Sequence, residues 1–182
     1  MSTRIAVMGT TGWGTTLAVM LATGRTEVVL WSRTEEEAVR LNADRQNIAH
    51  LPNIRFPESL TVLASPAEVL EDAALAILAM PAQTMRDNLR VFGSCIPSET
   101  LLLIINKGIE IETTKRMSEV IAEEIGGDIA GRTAVLSGPN FAKEVIANMP
   151  TATVIASPDS EAASRIQYMV SSPTFRAYIN DE

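Results

Sequence analysis

Short apolar runs alternate along the chain with stretches of helical pattern. The runs are apolar throughout rather than at every second position, which is typical of strands covered on both faces of a sheet. They predict strands at Arg4–Met8, Glu27–Trp31, Leu75–Ala79, Leu101–Ile105, Thr133–Leu136 and Ala152–Ala156. The stretches between and after them predict helices at Thr15–Leu21, Thr34–Asp44, Gln83–Phe92, Thr113–Glu124, Phe141–Ala147 and Asp159–Met169.

This alternation predicts the fold class. Strands that alternate with helices pair in parallel through right-handed crossovers, which favours a doubly wound α/β sheet with some mixed strands toward its end. The segment Asn47–Pro57 has two prolines and little regular pattern, which predicts a loop. No composition shift marks an internal boundary, so residues 1–182 are interpreted as one domain.

Composition and charge narrow the class of protein. The chain has 182 residues, 46% hydrophobic and 20% charged, an ordinary balance for one α/β domain. Its net charge of −7 argues against nucleic-acid binding, which needs a broad basic surface. The longest apolar run, Ala73–Met80, is too short to span a bilayer, and the first residues lack a signal-peptide pattern. With Cys95 as the single cysteine, we expect a cytoplasmic protein.

The first predicted strand runs into a glycine-rich turn, Gly9–Gly14, with the sequence Gly-Thr-Thr-Gly-Trp-Gly. A glycine turn between a first strand and a helix is typical of Rossmann-like dinucleotide binding, because backbone N–H groups at the helix start face a pyrophosphate. Thr11 takes the place of the middle glycine, and we expect its side chain to crowd the diphosphate unless Gly12 lets the turn shift. The predicted cofactor-binding residues here are Gly9, Thr11, Gly12, Trp13 and Gly14. The alternatives are a purely structural turn and a Trp13 that only packs against the sheet.

The end of the second strand bears on the choice of cofactor. NAD-binding proteins tend to carry Asp or Glu there for the ribose hydroxyls, whereas an arginine can accommodate a 2′-phosphate or stack on adenine. Here Arg33 follows Trp31 and Ser32, in the expected zone. A solvated arginine beside the three glutamates that follow is the alternative. The cofactor is therefore predicted to be NAD or NADP.

Three further segments carry a family resemblance. They are Ala-Met-Pro-Ala-Gln at Ala79–Gln83, Asn-Lys-Gly-Ile-Glu at Asn106–Glu110, and Ser-Gly-Pro-Asn-Phe-Ala-Lys-Glu at Ser137–Glu144. Together with Gly-Trp-Gly-Thr in the first turn, Pro150–Ala152 and Phe175–Tyr178, they resemble the N-terminal dinucleotide-binding domain of NAD(P)-dependent glycerol-3-phosphate dehydrogenases. The matching segments follow the family order through the whole chain.

The resemblance assigns roles to individual residues. It implies that Lys107 lies near both the substrate and the nicotinamide, that Pro81 lies beside the cofactor, and that Ala142 contacts the cofactor. It also implies that Gly138 and Asn140 contact the substrate. The family usually has Ser or Thr where this chain has Asn140, which leaves that contact open.

The implied reaction is reversible hydride transfer between NAD(P)H and dihydroxyacetone phosphate, giving sn-glycerol 3-phosphate, a phospholipid precursor. In the family, a second lysine carries out the proton transfer. It lies in a G-x-x-x-K-N segment at the start of a helical C-terminal domain. No such segment occurs in these 182 residues. A polypeptide of this length is therefore expected to bind cofactor without turning over substrate. The resemblance also implies that the full-length family member is a homodimer.

Three further residues are assigned no role in the site. Lys143 and Glu144 are interpreted as surface charges, and His50, the single histidine, as part of a loop. No cluster has metal-ligand spacing, so no metal site is predicted. Two alternative functions stay open: another reductase of the 6-phosphogluconate-dehydrogenase-like group, such as a hydroxyacid or ketopantoate reductase, and a non-catalytic nucleotide-sensing module.

Overall fold

An eight-stranded sheet forms the centre of the structure, a computed structural model that describes residues 3–24, 26–126 and 129–180. Its strands are β1 (Arg4–Met8), β2 (Glu27–Trp31), β3 (Leu60–Leu63), β4 (Ala73–Leu78), β5 (Leu101–Ile104), β6 (Thr133–Ser137), β7 (Thr151–Ala156) and β8 (Phe175–Asn180). The spatial order is β3-β2-β1-β4-β5-β6-β7-β8. Strands β1 to β6 are parallel, β7 runs antiparallel to β6, and β8 runs parallel to β7.

Helices cover both faces of this sheet. They are α1 (Gly12–Thr23), α2 (Glu35–Asp44), α3 (Pro66–Leu70), α4 (Met85–Phe92), α5 (Met117–Ile125), α6 (Ala142–Ile146) and α7 (Ser160–Val170). Short polar side chains start several of them: Thr34 accepts a hydrogen bond from the third N–H of α2, and Asp159 does the same for α7. Ser65 caps α3, and Pro66 takes its first position, where a missing N–H costs nothing.

The hydrophobic core is divided by the sheet into two clusters. Successive side chains of a strand point to opposite faces, so Ile5 and Val7 of β1 enter one cluster while Ala6 and Met8 enter the other. The first cluster is covered by α1, α2, α6 and α7, and the second by α3, α4 and α5. Because both faces are buried, the strands must be apolar throughout, which explains the uninterrupted runs in the sequence.

The predicted fold class is confirmed. The sheet is doubly wound and mostly parallel, and it has mixed strands at its end. The chain reverses its direction of winding between β1 and β4, and such a switch point opens a crevice at the carboxyl ends of the strands. The described residues form this one sheet with its helices and contain no separate helical domain.

Several predicted boundaries are wrong. The predicted turn Gly9–Gly14 is shorter, because α1 already begins at Gly12. The helix predicted from Thr113 begins only at Met117, since turns and a loop precede it. The pattern also missed β3, α3 and β8, which are short or lie at an edge of the sheet and so carry little periodic signal.

Candidate functional site

A cavity of about 850 Å³ opens at the carboxyl ends of β1, β4, β5 and β6, at the winding switch point. Its lining brings together seven of the residues predicted from the sequence: Thr11, Trp13, Pro81, Lys107, Gly138, Asn140 and Ala142. Gly9, Gly12, Gly14 and Arg33 do not line it. The cavity therefore joins the start of α1, the end of β5 and the turn that precedes α6.

Two of the three glycines in the first turn are required by its geometry. Gly9 has φ of +122°, and a Cβ there would lie 3.3 Å from the backbone nitrogen of Met80. A Cβ on Gly14 would lie 2.5 Å from the carbonyl oxygen of Gly9 and 2.7 Å from Cβ of Ala79. On Gly12 it would meet only the carbonyl oxygen of His50, at an ordinary 3.5 Å. Gly9 and Gly14 thus allow α1 to pack closely against β1 and β4.

Thr11 caps helix α1. Its hydroxyl accepts a hydrogen bond from the N–H of Gly14 at 3.1 Å and donates one to the carbonyl oxygen of Ala79 at 2.8 Å. The side chain therefore replaces a flexible glycine with two bonds that hold the helix start to the end of β4. The N–H groups of Gly12 and Trp13 precede the capped one and have no partner inside the helix. These two N–H groups form an N–H cradle at the positive end of the helix dipole, a feature that favours anion binding.

The loop after α2 fastens to the same turn. The amide nitrogen of Asn47 is buried and donates to the carbonyl oxygen of Thr10 and to the hydroxyl of Thr15, both at 2.9 Å. The hydroxyl of Thr10 donates to Glu37 of α2 at 3.1 Å. The predicted loop is therefore real, and its first residue helps to hold the turn. His50 lies exposed in this loop, in agreement with its interpretation as loop structure.

Trp13 and Arg33 lie at different sides of the turn. The Trp13 ring is 6.5 Å from the Phe175 ring of β8, so the structural packing predicted for this side chain is present. Arg33 is exposed after β2, with one guanidinium nitrogen 3.5 Å from the amide oxygen of Asn88. It lies apart from the cavity lining, and its contact with the adenosine end of a cofactor stays a prediction.

Lys107 is exposed at the mouth of the cavity, in the loop that follows β5. Beside it, both amide atoms of Asn106 are buried without a hydrogen-bond partner among the described residues. Sequence reasoning missed Asn106 as a lining residue, and it also missed Arg116, which lines the cavity just before α5. Asn106 belongs to the Asn106–Glu110 segment that carries the resemblance, but no role was assigned to it, and Arg116 lies in no recognised motif.

A charged cluster includes Glu110 of the Lys107 loop, the segment Asn106–Ile111. The Arg86 guanidinium bonds both carboxylate oxygens of Glu110, at 2.9 and 2.8 Å, and also contacts Glu123 and Glu124 of α5. The Arg86 contact, helped by a hydrogen bond from Thr113, lowers the pKa of Glu110 to about 2. Lys115 and Arg86 lower the pKa of Glu123 in the same direction.

This cluster predicts a stability change in acid. Glu110 has a lower pKa in the folded protein, about 2, than its ordinary value of 4.5. Its contribution to the free energy of unfolding is therefore complete above about pH 4.5 and is lost as the pH falls toward 2. We expect Glu110→Gln to remove part of the decrease in urea midpoint over that interval. Glu99→Gln, at an exposed carboxylate before β5, is the control; a Glu110 variant with the same acid profile as wild type contradicts this prediction.

The turn between β6 and α6 forms the opposite wall. Asn140 is buried, and its amide nitrogen donates to the hydroxyl of Thr153 at 2.9 Å, while its amide oxygen has no partner among the described residues. A Cβ on Gly138 would lie 3.2 Å from both amide atoms of Asn140 and from the carbonyl oxygen of Ala152, so a larger residue would have to displace these neighbours slightly. Lys143 and Glu144 are exposed and outside the cavity lining, in agreement with their interpretation as surface charges.

The described ranges contain no group of three or more His, Cys, Asp or Glu residues arranged to hold a metal ion. In the same ranges, no helix has the length and apolarity needed to cross a membrane.

Comparisons with known proteins agree with this geometry. A family model described as NAD-dependent glycerol-3-phosphate dehydrogenase N-terminus matches residues 4–163. Glycerol-3-phosphate dehydrogenase [NAD(P)+] of Corynebacterium diphtheriae is 45% identical, and the match covers 98% of this chain and 54% of that relative. The protein of the same name from Dehalococcoides mccartyi is 40% identical, and the match covers 98% of this chain and 50% of that relative. The crystal structure of glycerol-3-phosphate dehydrogenase from Coxiella burnetii has a TM-score of 0.90 and 31% identity, covering all of the chain and 55% of that structure. The chain thus spans about half the length of the curated relatives it matches.

Proposed function

The chain belongs to the NAD-dependent glycerol-3-phosphate dehydrogenase family, and on that premise we propose that the whole protein transfers hydride between NADH or NADPH and dihydroxyacetone phosphate, giving sn-glycerol 3-phosphate. One observation carries the proposal: the start of α1, Lys107 and the Gly138–Ala142 turn meet in a single cavity. Family membership sets aside the alternative of a different reductase from the wider 6-phosphogluconate-dehydrogenase-like group.

Cofactor binding is proposed at the glycine turn. The close contacts at Gly9 and Gly14 hold α1 against β4, and the Thr11 hydroxyl is held by its bonds to Gly14 and Ala79. The N–H groups of Gly12 and Trp13 then bind the pyrophosphate, favoured by the positive end of the helix dipole. Pro81 and Ala142 border the nicotinamide side of the cavity, and Arg33 binds the adenosine end.

Substrate binding is proposed at the opposite side of the same cavity. The Lys107 ammonium attracts the phosphate of dihydroxyacetone phosphate and stabilises negative charge that develops on the carbonyl oxygen. Gly138 lets the backbone approach the substrate, and the unpaired amide oxygen of Asn140 accepts a hydrogen bond from a substrate hydroxyl. The bound dinucleotide supplies the hydride.

These residues position the reactants but leave the proton transfer to another group. Among the seven predicted residues that line the cavity, Lys107 is the only one with a titratable side chain. We therefore propose that a polypeptide limited to these 182 residues binds dinucleotide and does not reduce dihydroxyacetone phosphate. The second lysine, the homodimer and the cytoplasmic location expected from the sequence belong to the proposal for the whole protein, as does a role in phospholipid precursor synthesis.

Titration of the 182-residue chain with NADH and NADPH tests the cofactor proposal. Because Trp13 lines the cavity, we expect tryptophan fluorescence to be quenched as reduced dinucleotide binds. Trp13→Phe should lose most of this signal, while calorimetry still detects binding. Inorganic phosphate at the same concentrations is the control ligand. If neither NADH nor NADPH binds at millimolar concentration, the cofactor proposal is wrong.

Turnover assays separate the enzyme from its alternative. The gene product at the full length of its relatives should oxidise NADH when dihydroxyacetone phosphate is added, and the 182-residue chain should not. A nucleotide-sensing module would bind the dinucleotide in both forms and turn over in neither. Turnover by the 182-residue chain would contradict the proposed need for a second lysine.

A further inference from the structure

We propose that Gln83 and Arg86 are positioning residues that hold Lys107 at the substrate, acting through the backbone of its loop and through Glu110. Neither residue carries a role in the proposed function, and the inference rests on that function because it assigns Lys107 to the substrate. The Lys107 loop, Asn106–Ile111, connects β5 to the segment before α5.

Gln83 holds the loop by its backbone. Its amide nitrogen donates to the carbonyl oxygen of Ile109 at 2.8 Å, and its amide oxygen accepts from the N–H of Ile111 at 3.0 Å. One side chain thus makes the pair of bonds that a neighbouring β-strand would make. Gln83 lies in a short 3-10 helix, Ala82–Thr84, between β4 and α4, so these bonds fix the loop relative to the segment that follows β4.

Arg86 holds the same loop through an ion pair with Glu110, the residue that follows Ile109. Its two bonds to Glu110 are bidentate, which fixes orientation as well as distance. The contacts that Arg86 also makes with Glu123 and Glu124 keep its guanidinium in place from α5. With 18% of its side chain exposed, Arg86 lies beside the cavity without lining it, so its effect on a ligand must pass through Glu110.

Lys107 lies between two anchored points. On one side, the N–H of Ile105 donates to the carbonyl oxygen of Leu78, and on the other, Ile109 and Glu110 are held by α4 and the turn before it. The short connection bends at Gly108, where φ is +105°. A lysine side chain is long and flexible, so a fixed backbone origin is what brings its ammonium to one place. Misplacement of a catalytic group by about 1 Å can cost roughly 100-fold in rate.

Kinetics of the full-length protein test this proposal. We expect Arg86→Gln and Glu110→Gln to lower kcat/KM for dihydroxyacetone phosphate by roughly 10- to 100-fold, while the Kd for NADH changes less than about threefold because the glycine turn lies elsewhere. Arg90→Gln is the matched control, since Arg90 is also on α4 and contacts Glu124 without contacting Glu110. Gln83→Ala removes the two backbone bonds and also part of the cavity wall, because Gln83 lines the cavity.

A double-variant cycle distinguishes positioning from general stability. If Arg86 acts through Lys107, adding Arg86→Gln to Lys107→Met causes little further loss of kcat/KM. Losses that multiply, or an Arg90→Gln variant as impaired as Arg86→Gln, overturn the proposal. Hydrogen exchange on the 182-residue chain gives a readout independent of turnover: Arg86→Gln should speed exchange in the Lys107 loop and leave α1 unchanged. An inactive wild type accompanied by this exchange result refutes the proposed function, and unchanged exchange refutes the positioning role.

Discussion

Replacing Gly14 by alanine is expected to abolish detectable dinucleotide binding and to destabilise the fold. The new Cβ would lie 2.5 Å from the carbonyl oxygen of Gly9 and 2.7 Å from Cβ of Ala79, two atoms that belong to backbone or to a short rigid side chain. Neither can move away without a shift of α1 against the sheet. Overpacking of this kind costs about 1–3 kcal/mol, and the shift removes the N–H cradle at the helix start.

Gly12→Ala is the matched control for the effect of Gly14→Ala on stability. Its Cβ would make only an ordinary contact, 3.5 Å from the carbonyl oxygen of His50, at the first residue of α1. The variant should keep the wild-type free energy of unfolding or exceed it by up to about 1 kcal/mol, because alanine has less conformational freedom to lose than glycine. Urea denaturation and fluorescence titration with NADH measure both effects. A Gly14→Ala protein that binds NADH like wild type would show that close packing of α1 is not needed for the cofactor.

Replacing Lys107 by methionine is expected to reduce kcat/KM of the full-length protein by at least about 100-fold, the usual scale for one electrostatic contact to a developing charge. Methionine keeps most of the length and apolar stem of lysine, so the effect isolates the ammonium. Because Lys107 is exposed at the cavity mouth and the glycine turn is unchanged, NADH binding should weaken only modestly.

The control for Lys107 is Lys143, a lysine that does not line the cavity. Lys143→Met removes an exposed ammonium in α6, outside the cavity lining, and should leave kcat/KM within about twofold of wild type, as is usual for a surface change. Lys107→Arg should restore part of the activity, since it keeps the charge with a different shape. Equal losses for Lys107→Met and Lys143→Met would show that overall positive charge, rather than the position of Lys107, attracts the substrate.

The sequence predicted the central part of the fold well because the constraint there is strong. A strand such as Arg4–Met8, buried on both faces, has to be apolar at successive positions, and few other structures have that pattern. Edge elements are less constrained: Phe175–Asn180 alternates buried and exposed residues only at its start, so β8 was missed. The start of α5 was missed because Thr113 and Lys115, which are acceptable in a helix, instead make tertiary contacts with Glu110 and Glu123.

The residues of the candidate site also divide into those that the sequence predicted and those that it did not. Residues that belong to a local motif, such as Gly9 and Gly14, could be found from spacing, and the family resemblance supplied Lys107 and Asn140. Arg86 could not be found in this way, because its proposed role depends on contacts with Glu110, 24 residues away, and with two glutamates of α5. The role of Thr11 also depended on a distant atom, the carbonyl oxygen of Ala79. Such contacts exist only once the strands are aligned.

The glycine turn and the Lys107 loop lie beside different apolar clusters, on opposite faces of the sheet. The glycine turn rests on the cluster beneath α1, and the Lys107 loop rests on the cluster beneath α4 and α5. Local unfolding of proteins often proceeds in cooperative units, so we expect hydrogen exchange to show the α4–α5 face opening separately from α1. For the proposed enzyme, such an opening would displace Lys107 from the substrate while the glycine turn stays able to bind the dinucleotide.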